Sequence, residues 1–144
     1  MRRVEIRDGG LAVEEILSSW YSEIKDKNLG AFVPFVGIVR DEDSIEGLSF
    51  DIYEPILAKW FDTWQIKAEG ELFMAHSRGD VWLHESSFIA AIASRKRRFA
   101  LEFIDEFVED FKRSAPIWKY DMVEGKRVYA KDRSYKIDGA GLFN

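Results

Sequence analysis

No cysteine occurs in the 144 residues, which removes disulfides, thiolate metal ligands and any persulfide carried by the chain itself. Sulfur chemistry at this protein would need an outside donor. Histidine is nearly as scarce: His76 and His84 are the only two. They sit in neither an HExxH nor a paired-ligand spacing, so metal catalysis is disfavoured and both read as ordinary strand or loop residues. Long apolar runs are missing too. The longest uncharged one, Gly30 to Val39, falls well short of the roughly 20 residues that a membrane span needs, and no signal-peptide pattern opens the chain. These absences lead us to expect a soluble, cytoplasmic protein with one ordinary core.

Positive charge is short overall but unevenly spread. Against a formal net charge of −5, residues 1 to 94 carry 9 Lys/Arg and 17 Asp/Glu, whereas residues 95 to 144 carry 12 and 9. The C-terminal third is a basic island on an acidic chain, with a sequence pI of about 5.1. Sequence-independent nucleic-acid binding draws on a large cationic footprint over many phosphates, so a small anion fits this pattern better.

Hydrophobic periodicity outlines the elements. Val4-Glu5-Ile6 reads as a short strand, and Val13, Ile16, Leu17, Trp20 and Ile24 fall on one helical stripe that ends near Asn28 and Gly30. Ala31 to Arg40 is a nearly unbroken β-prone run, expected to be largely buried, in which Pro34 and Gly37 indicate an edge, a bulge or a close backbone approach. An acidic loop, Asp41 to Gly47, joins it to Leu48–Tyr53, and the two segments read as a strand pair. Glu54-Pro55 opens a helix with Ile56, Leu57, Trp60, Phe61 and Trp64 on one face, closed by Gly70. Three short strands are expected at Glu71–Ala75, Val81–His84 and Phe88–Ala93, separated by turns at Ser77–Asp80 and Glu85–Ser87. A long amphipathic helix spans roughly Arg95 to Arg113, stopped by Pro116. A hairpin follows, Ile117–Met122 and Arg127–Ala130, around a turn at Val123–Lys126. The fold class expected is α+β, a single domain over residues 1–136 with three main helices and a mixed or antiparallel sheet, and residues 137–144 form a loosely ordered tail.

Three places carry chemistry. Arg95-Lys96-Arg97-Arg98 lies at a helix start, where exposed N–H groups already act as about half a positive charge; either an anion joins them there, or they form a solvated face offset by Glu102, Asp105 and Glu106. Lys112 and Lys119 bracket the proline that ends that helix. Alone, Lys112 is a dipole-compensating helix end; beside Phe111, Arg113, Ile117 and Trp118, one lysine of the pair can donate or accept a proton. Arg40, ending a strand next to a flexible loop, is a third anion-binding candidate.

In order and spacing, Phe35-Val-Gly-Ile-Val-Arg40, Ser94-Arg-Lys-Arg97 and Lys112-Arg-Ser-Ala-Pro-Ile-Trp-Lys119 resemble the catalytic large subunit of molybdopterin synthase, over about Gly30 to Arg133. The resemblance implies an α/β-hammerhead-like fold and a sulfurtransferase of molybdenum cofactor biosynthesis. Such an enzyme converts a cyclic pyranopterin monophosphate into molybdopterin by installing two dithiolene sulfurs. Sulfur would arrive as a thiocarboxylate on the C-terminal Gly-Gly of a small ubiquitin-like partner. A homodimer within a heterotetramer is implied, with no nucleic acid or membrane and no cofactor bound by the chain itself. The ending Leu142-Phe-Asn144, unlike Gly-Gly, agrees with a sulfur-accepting site rather than a carrier.

Carried over, Lys112 and Lys119 would be catalytic, and Arg40, Lys96, Arg97, Ile38, Val39, Phe35, Tyr120, Asp121 and Arg133 would bind substrate. The family's His-Arg pair falls on Lys96-Arg97, which keeps anion binding but replaces the histidine with lysine. Lys131 stands beside Arg133 as an alternative late basic residue. Because 15 residues of helix separate Arg97 from Lys112, about 22 Å, a single pocket using both would take its Arg97 from a second copy. The alternative is a non-catalytic module binding a pterin or nucleotide phosphate, or, less simply, an RNA-binding surface using Arg95–Arg98 with Trp82 or Tyr120.

Overall fold

A computed structural model describes residues 4–129. Three helices, α1 (Val13–Ile24), α2 (Glu54–Lys67) and α3 (Arg97–Ser114), accompany seven strands: β1 (Val4–Asp8), β2 (Ala31–Ile38), β3 (Gly47–Ile52), β4 (Gly70–Trp82), β5 (Ser86–Ser94), β6 (Ile117–Val123) and β7 (Lys126–Tyr129). The strands form one sheet in the order β2-β5-β4-β3-β6-β7, with β1 parallel to β4 and the other pairs antiparallel. This is the α+β class expected. The proposed tail at 137–144, and Lys131 and Arg133, lie outside the described residues.

Alternation along the central strands builds two cores. On one face Leu72, Met74, Ala90 and Ile92 meet Leu57 and Phe61 of α2 and the apolar stripe of α3; on the other, Phe73, Ala75, Ile89 and Ala91 meet Ile16, Trp20 and Ile24 of α1. Strands covered on both faces read as continuous apolar runs rather than as alternation, as Phe88–Ala93 does.

Several sequence expectations are corrected. The segments 31–40 and 48–53 do not pair: β2 lies against β5, and β3 between β4 and β6. Ser77–Asp80 is not a turn, because β4 runs unbroken for 13 residues. Its residues 70–76 pair with β5, 74–78 with β1 and 79–82 with β3. Pairing from several strands overrides local turn chemistry there, and Gly79 takes up the positive φ of 82°. β2 is half-buried rather than buried. It is a sheet edge with a bulge at Gly37/Ile38, which accounts for the proline and glycine inside it. Boundaries also move: α2 ends at Lys67 and α3 starts at Arg97. Gly70 opens β4 with φ of 152°, where a Cβ would lie 1.9 Å from the Ala93 carbonyl oxygen.

The C-terminal half of α3 is fastened to α2 by one carboxylate. Asp110 accepts hydrogen bonds from Trp60 Nε1 (2.9 Å), Trp64 Nε1 (2.8 Å) and Ser114 Oγ (2.9 Å). Burial would raise its pKa; these three donors and nearby Arg113 outweigh burial and hold it below the ordinary 3.8. Its folded-state pKa being the lower one, the stability it contributes is present above about pH 3.8 and is lost as pH falls through the folded value. Asp110→Ala is expected to destabilise the protein by about 2–3 kcal/mol in urea denaturation at pH 7, a difference that shrinks below pH 3.8.

Candidate functional site

Where β4 passes from β5 to β3, the sheet and the end of α3 enclose a cavity of about 470 Å³, within the range of small-molecule sites. The bulged end of β2 brings Phe35 and Ile38 to it, the following residues add Val39 and Arg40, the last turn of α3 adds Lys112, and β6 adds Lys119. Six of the sequence candidates therefore share one space. Pro116 makes this possible: it stops α3, and the chain turns back into β6, whose register sets Lys119 opposite Phe50 of β3. Lys112 is exposed, Lys119 is half-buried, and Arg40 is largely exposed and pairs with Glu42 at 2.6 Å. The result is an apolar cleft with three cations at its rim and one carboxylate among them.

The other candidates lie elsewhere. Lys96 is the N-cap of α3 and Arg97 its first residue; both are exposed at the end of the helix remote from the cavity. The first turn contains no acidic residue, and Arg98 reaches Glu102 only at 4.0 Å. Tyr120, adjacent to Lys119 on β6, points to the other face by strand alternation. There its ring lies 3.9 Å from the Arg127 guanidinium and 5.8 Å from Tyr129. Arg127 in turn pairs with Asp51 at 3.0 Å, so Tyr120 belongs to the fastening of the β6–β7 hairpin. Asp121 is on β6 opposite Leu48 and does not line the cavity.

His76 is a strand histidine, as expected, yet it also lines the cavity, which sequence reasoning missed. The available signal was a polar residue directly following the apolar run Leu72–Ala75. It is 3 % exposed, and its Nδ1 lies 2.7 Å from the Ser77 carbonyl oxygen. Burial drives its pKa down from 6.5 to about 4, against the opposing pull of that carbonyl, so the imidazole is neutral at pH 7.

The chain is similar to known proteins of one family. A family model described as "MoaE protein" matches residues 10–114. The chain is 50% identical over 142 residues to the molybdopterin synthase catalytic subunit of Helicobacter pylori (strain ATCC 700392 / 26695), covering 96% of this chain and 98% of that protein. It is 31% identical over 116 residues to the protein of the same name from Dictyostelium discoideum, covering 72% of each. Among solved structures, a chain of the "protein-protein complex of subunit 1 and 2 of Molybdopterin-converting factor" from Helicobacter pylori 26695 superposes with a TM-score of 0.92 at 49% identity, over 99% of this chain and 100% of that one.

The buried histidine makes a test of its own. Between pH 6.5 and about 4 the unfolded chain binds a proton at this position and the folded chain does not, so stability falls as pH falls through that window. At about 1.4 kcal/mol per pKa unit the full loss is roughly 3 kcal/mol. Denaturant titrations across this range should show that component in the wild type and not in His76→Phe.

Proposed function

The chain belongs to the MoaE protein family, and from that premise we propose that it is the catalytic subunit of a molybdopterin synthase, the sulfurtransferase that converts cyclic pyranopterin monophosphate to molybdopterin. The observation that carries this reading is the convergence of Arg40, Lys112 and Lys119, from three separate segments, on one apolar cavity. The pterin is the substrate, and the chain needs no resident cofactor. Its partner is a small ubiquitin-like subunit whose C-terminal Gly-Gly carries the thiocarboxylate; the Helicobacter pylori neighbour, titled as a complex of two subunits, supports that pairing. Among the described residues no helix is long and apolar enough to cross a membrane, and the reaction is assigned to the cytoplasm.

The chain's residues divide the work by position. Arg40, on the rim next to Val39 and Ile38, holds the substrate phosphate by charge-assisted hydrogen bonds. The apolar walls, Phe35 among them, exclude water and hold the flat ring. Lys119, half-buried on a rigid strand, binds the incoming thiocarboxylate. Lys112 serves as the central acid/base, moving protons as sulfur adds and the cyclic phosphate opens. Lys96 and Arg97 complete the anion site in trans. They cannot reach the cavity of their own chain, so a second copy supplies them and the working unit is a dimer with composite sites, flanked by two small subunits.

In a dithiolene assay with thiocarboxylated partner and cyclic substrate, Lys112→Ala should lower kcat on the order of a hundredfold or more, and Arg40→Ala should raise KM roughly tenfold. Wild-type rates in Lys112→Ala would remove the assignment of the acid/base. Mixing Lys112→Ala chains with Arg97→Ala chains tests the shared site: random hybrids place one intact pair in half the dimers, so activity should return to roughly a quarter of wild type. No recovery on mixing would mean that each site is built within one chain.

A further inference from the structure

The cavity's innermost polar group has no part in the scheme above. His76 is set among three phenylalanines: Phe50 meets it edge-on with centroids 4.9 Å apart, and Phe111 and Phe88 lie at 5.5 and 5.8 Å. A carbonyl oxygen can only accept a hydrogen bond, so the 2.7 Å contact with Ser77 fixes the proton on Nδ1 and leaves Nε2 as a bare lone pair. Among the described residues, no side chain donates to that nitrogen. Among the described residues, however, the only sealed side-chain polar atom without a partner is Ser77 Oγ. Nε2 is therefore open to space, and the space that His76 borders is the cavity.

A buried acceptor left without a donor is unfavourable, and a ligand that supplies the donor gains by filling it. The ring is held on its main-chain side by the Ser77 bond and on its faces by aromatic contacts, so the lone pair is fixed in direction before any ligand arrives. An ordinary histidine beside Lys112 and Lys119 would alternate between donor and acceptor near neutral pH. This one stays an acceptor, because burial keeps the proton off the ring.

We propose that His76 is a specificity-determining residue whose Nε2 accepts a hydrogen bond from a ring N–H of the flat, nitrogen-rich heterocycle that enters the cavity. The inference rests on the substrate class proposed above and adds to it the means by which the ring, as distinct from the phosphate, is read. Arg40 and the lysines recognise any anion of suitable size. His76 rejects one whose ring offers no donor, since the lone pair would then stay unpaired in a water-poor cleft.

The test compares His76→Phe and His76→Leu, which remove the acceptor, with His76→Gln, which returns one, in the full chain; either apolar variant carries the test if the other fails to fold by circular dichroism. Calorimetric titration uses three probes: the cyclic pyranopterin phosphate, inorganic phosphate and the thiocarboxylated small subunit. The apolar variants should raise Kd and KM for the pterin roughly tenfold, the equivalent of about 1.4 kcal/mol. Their kcat and their affinities for inorganic phosphate and for the partner should stay within about threefold. His76→Gln should keep the pterin Kd within about threefold of wild type. Unchanged pterin binding in the apolar variants overturns the inference, as does an equal loss for inorganic phosphate or a loss confined to the partner. Wild-type turnover separates the two claims: without any, the function proposed above fails, whereas normal turnover with normal pterin binding by His76→Phe defeats this inference alone.

Discussion

The cavity depends on how the last turn of α3 is pinned to the sheet. Asp110 ties that turn to both tryptophans of α2. One residue on, Phe111 stacks on Phe88 of β5 with centroids 4.1 Å apart. Lys112 is the next residue, so its backbone is fixed between a polar clamp on one side and an aromatic contact on the other. Buried Ala115 and Pro116 then end the helix, and the return into β6 carries Lys119 to the same opening. Loss of the clamp would free the turn from which one cation projects and to which the other is connected.

Charge is handled locally rather than globally. The whole chain is acidic, yet among the described residues the rim combines Arg40, Lys112 and Lys119 with Glu42 as the single carboxylate in the lining. Cations at the mouth of an apolar cleft act on a bound anion through a poorer dielectric than bulk water provides, so three of them suffice. The far end of α3 repeats the pattern without a cleft: cations gather at a helix N-terminus that has no acidic residue in its first turn. Such an arrangement is unfavourable in an isolated chain and is relieved by an anion, which is why a second copy sharing its site offers a physical account of Lys96 and Arg97.

Much of this was legible from residues alone. The three helices were visible because their apolar stripes repeat at helical spacing, and the closing hairpin because Glu124-Gly125 interrupts two β-prone runs. Arg40, Lys112 and Lys119 could be singled out by spacing and by resemblance to one family. Pairing was less legible: β2 and β3 are adjacent in sequence and β-prone, but the length of β4 places β5 and β3 along different halves of it, a property of the whole sheet. Ser77–Asp80 has the composition of a turn, and only pairing from β1 and β3 keeps it extended. His76 was hidden because a lone histidine in a strand gives no sign of which face it occupies. Tyr120 and Asp121 were drawn in by their nearness to Lys119, and strand alternation together with the extent of the cavity separates them from it.

In this reading, the basic, aromatic cleft is where sulfur is placed on a phosphorylated pterin. The most direct test is a single-turnover reaction of the purified chain with the cyclic pyranopterin phosphate and excess thiocarboxylated small subunit, followed by mass spectrometry of both pterin and partner. A dithiolene product is expected, with two thiocarboxylates converted to carboxylates for each pterin consumed. A pterin recovered unchanged, with the thiocarboxylate intact, would contradict it.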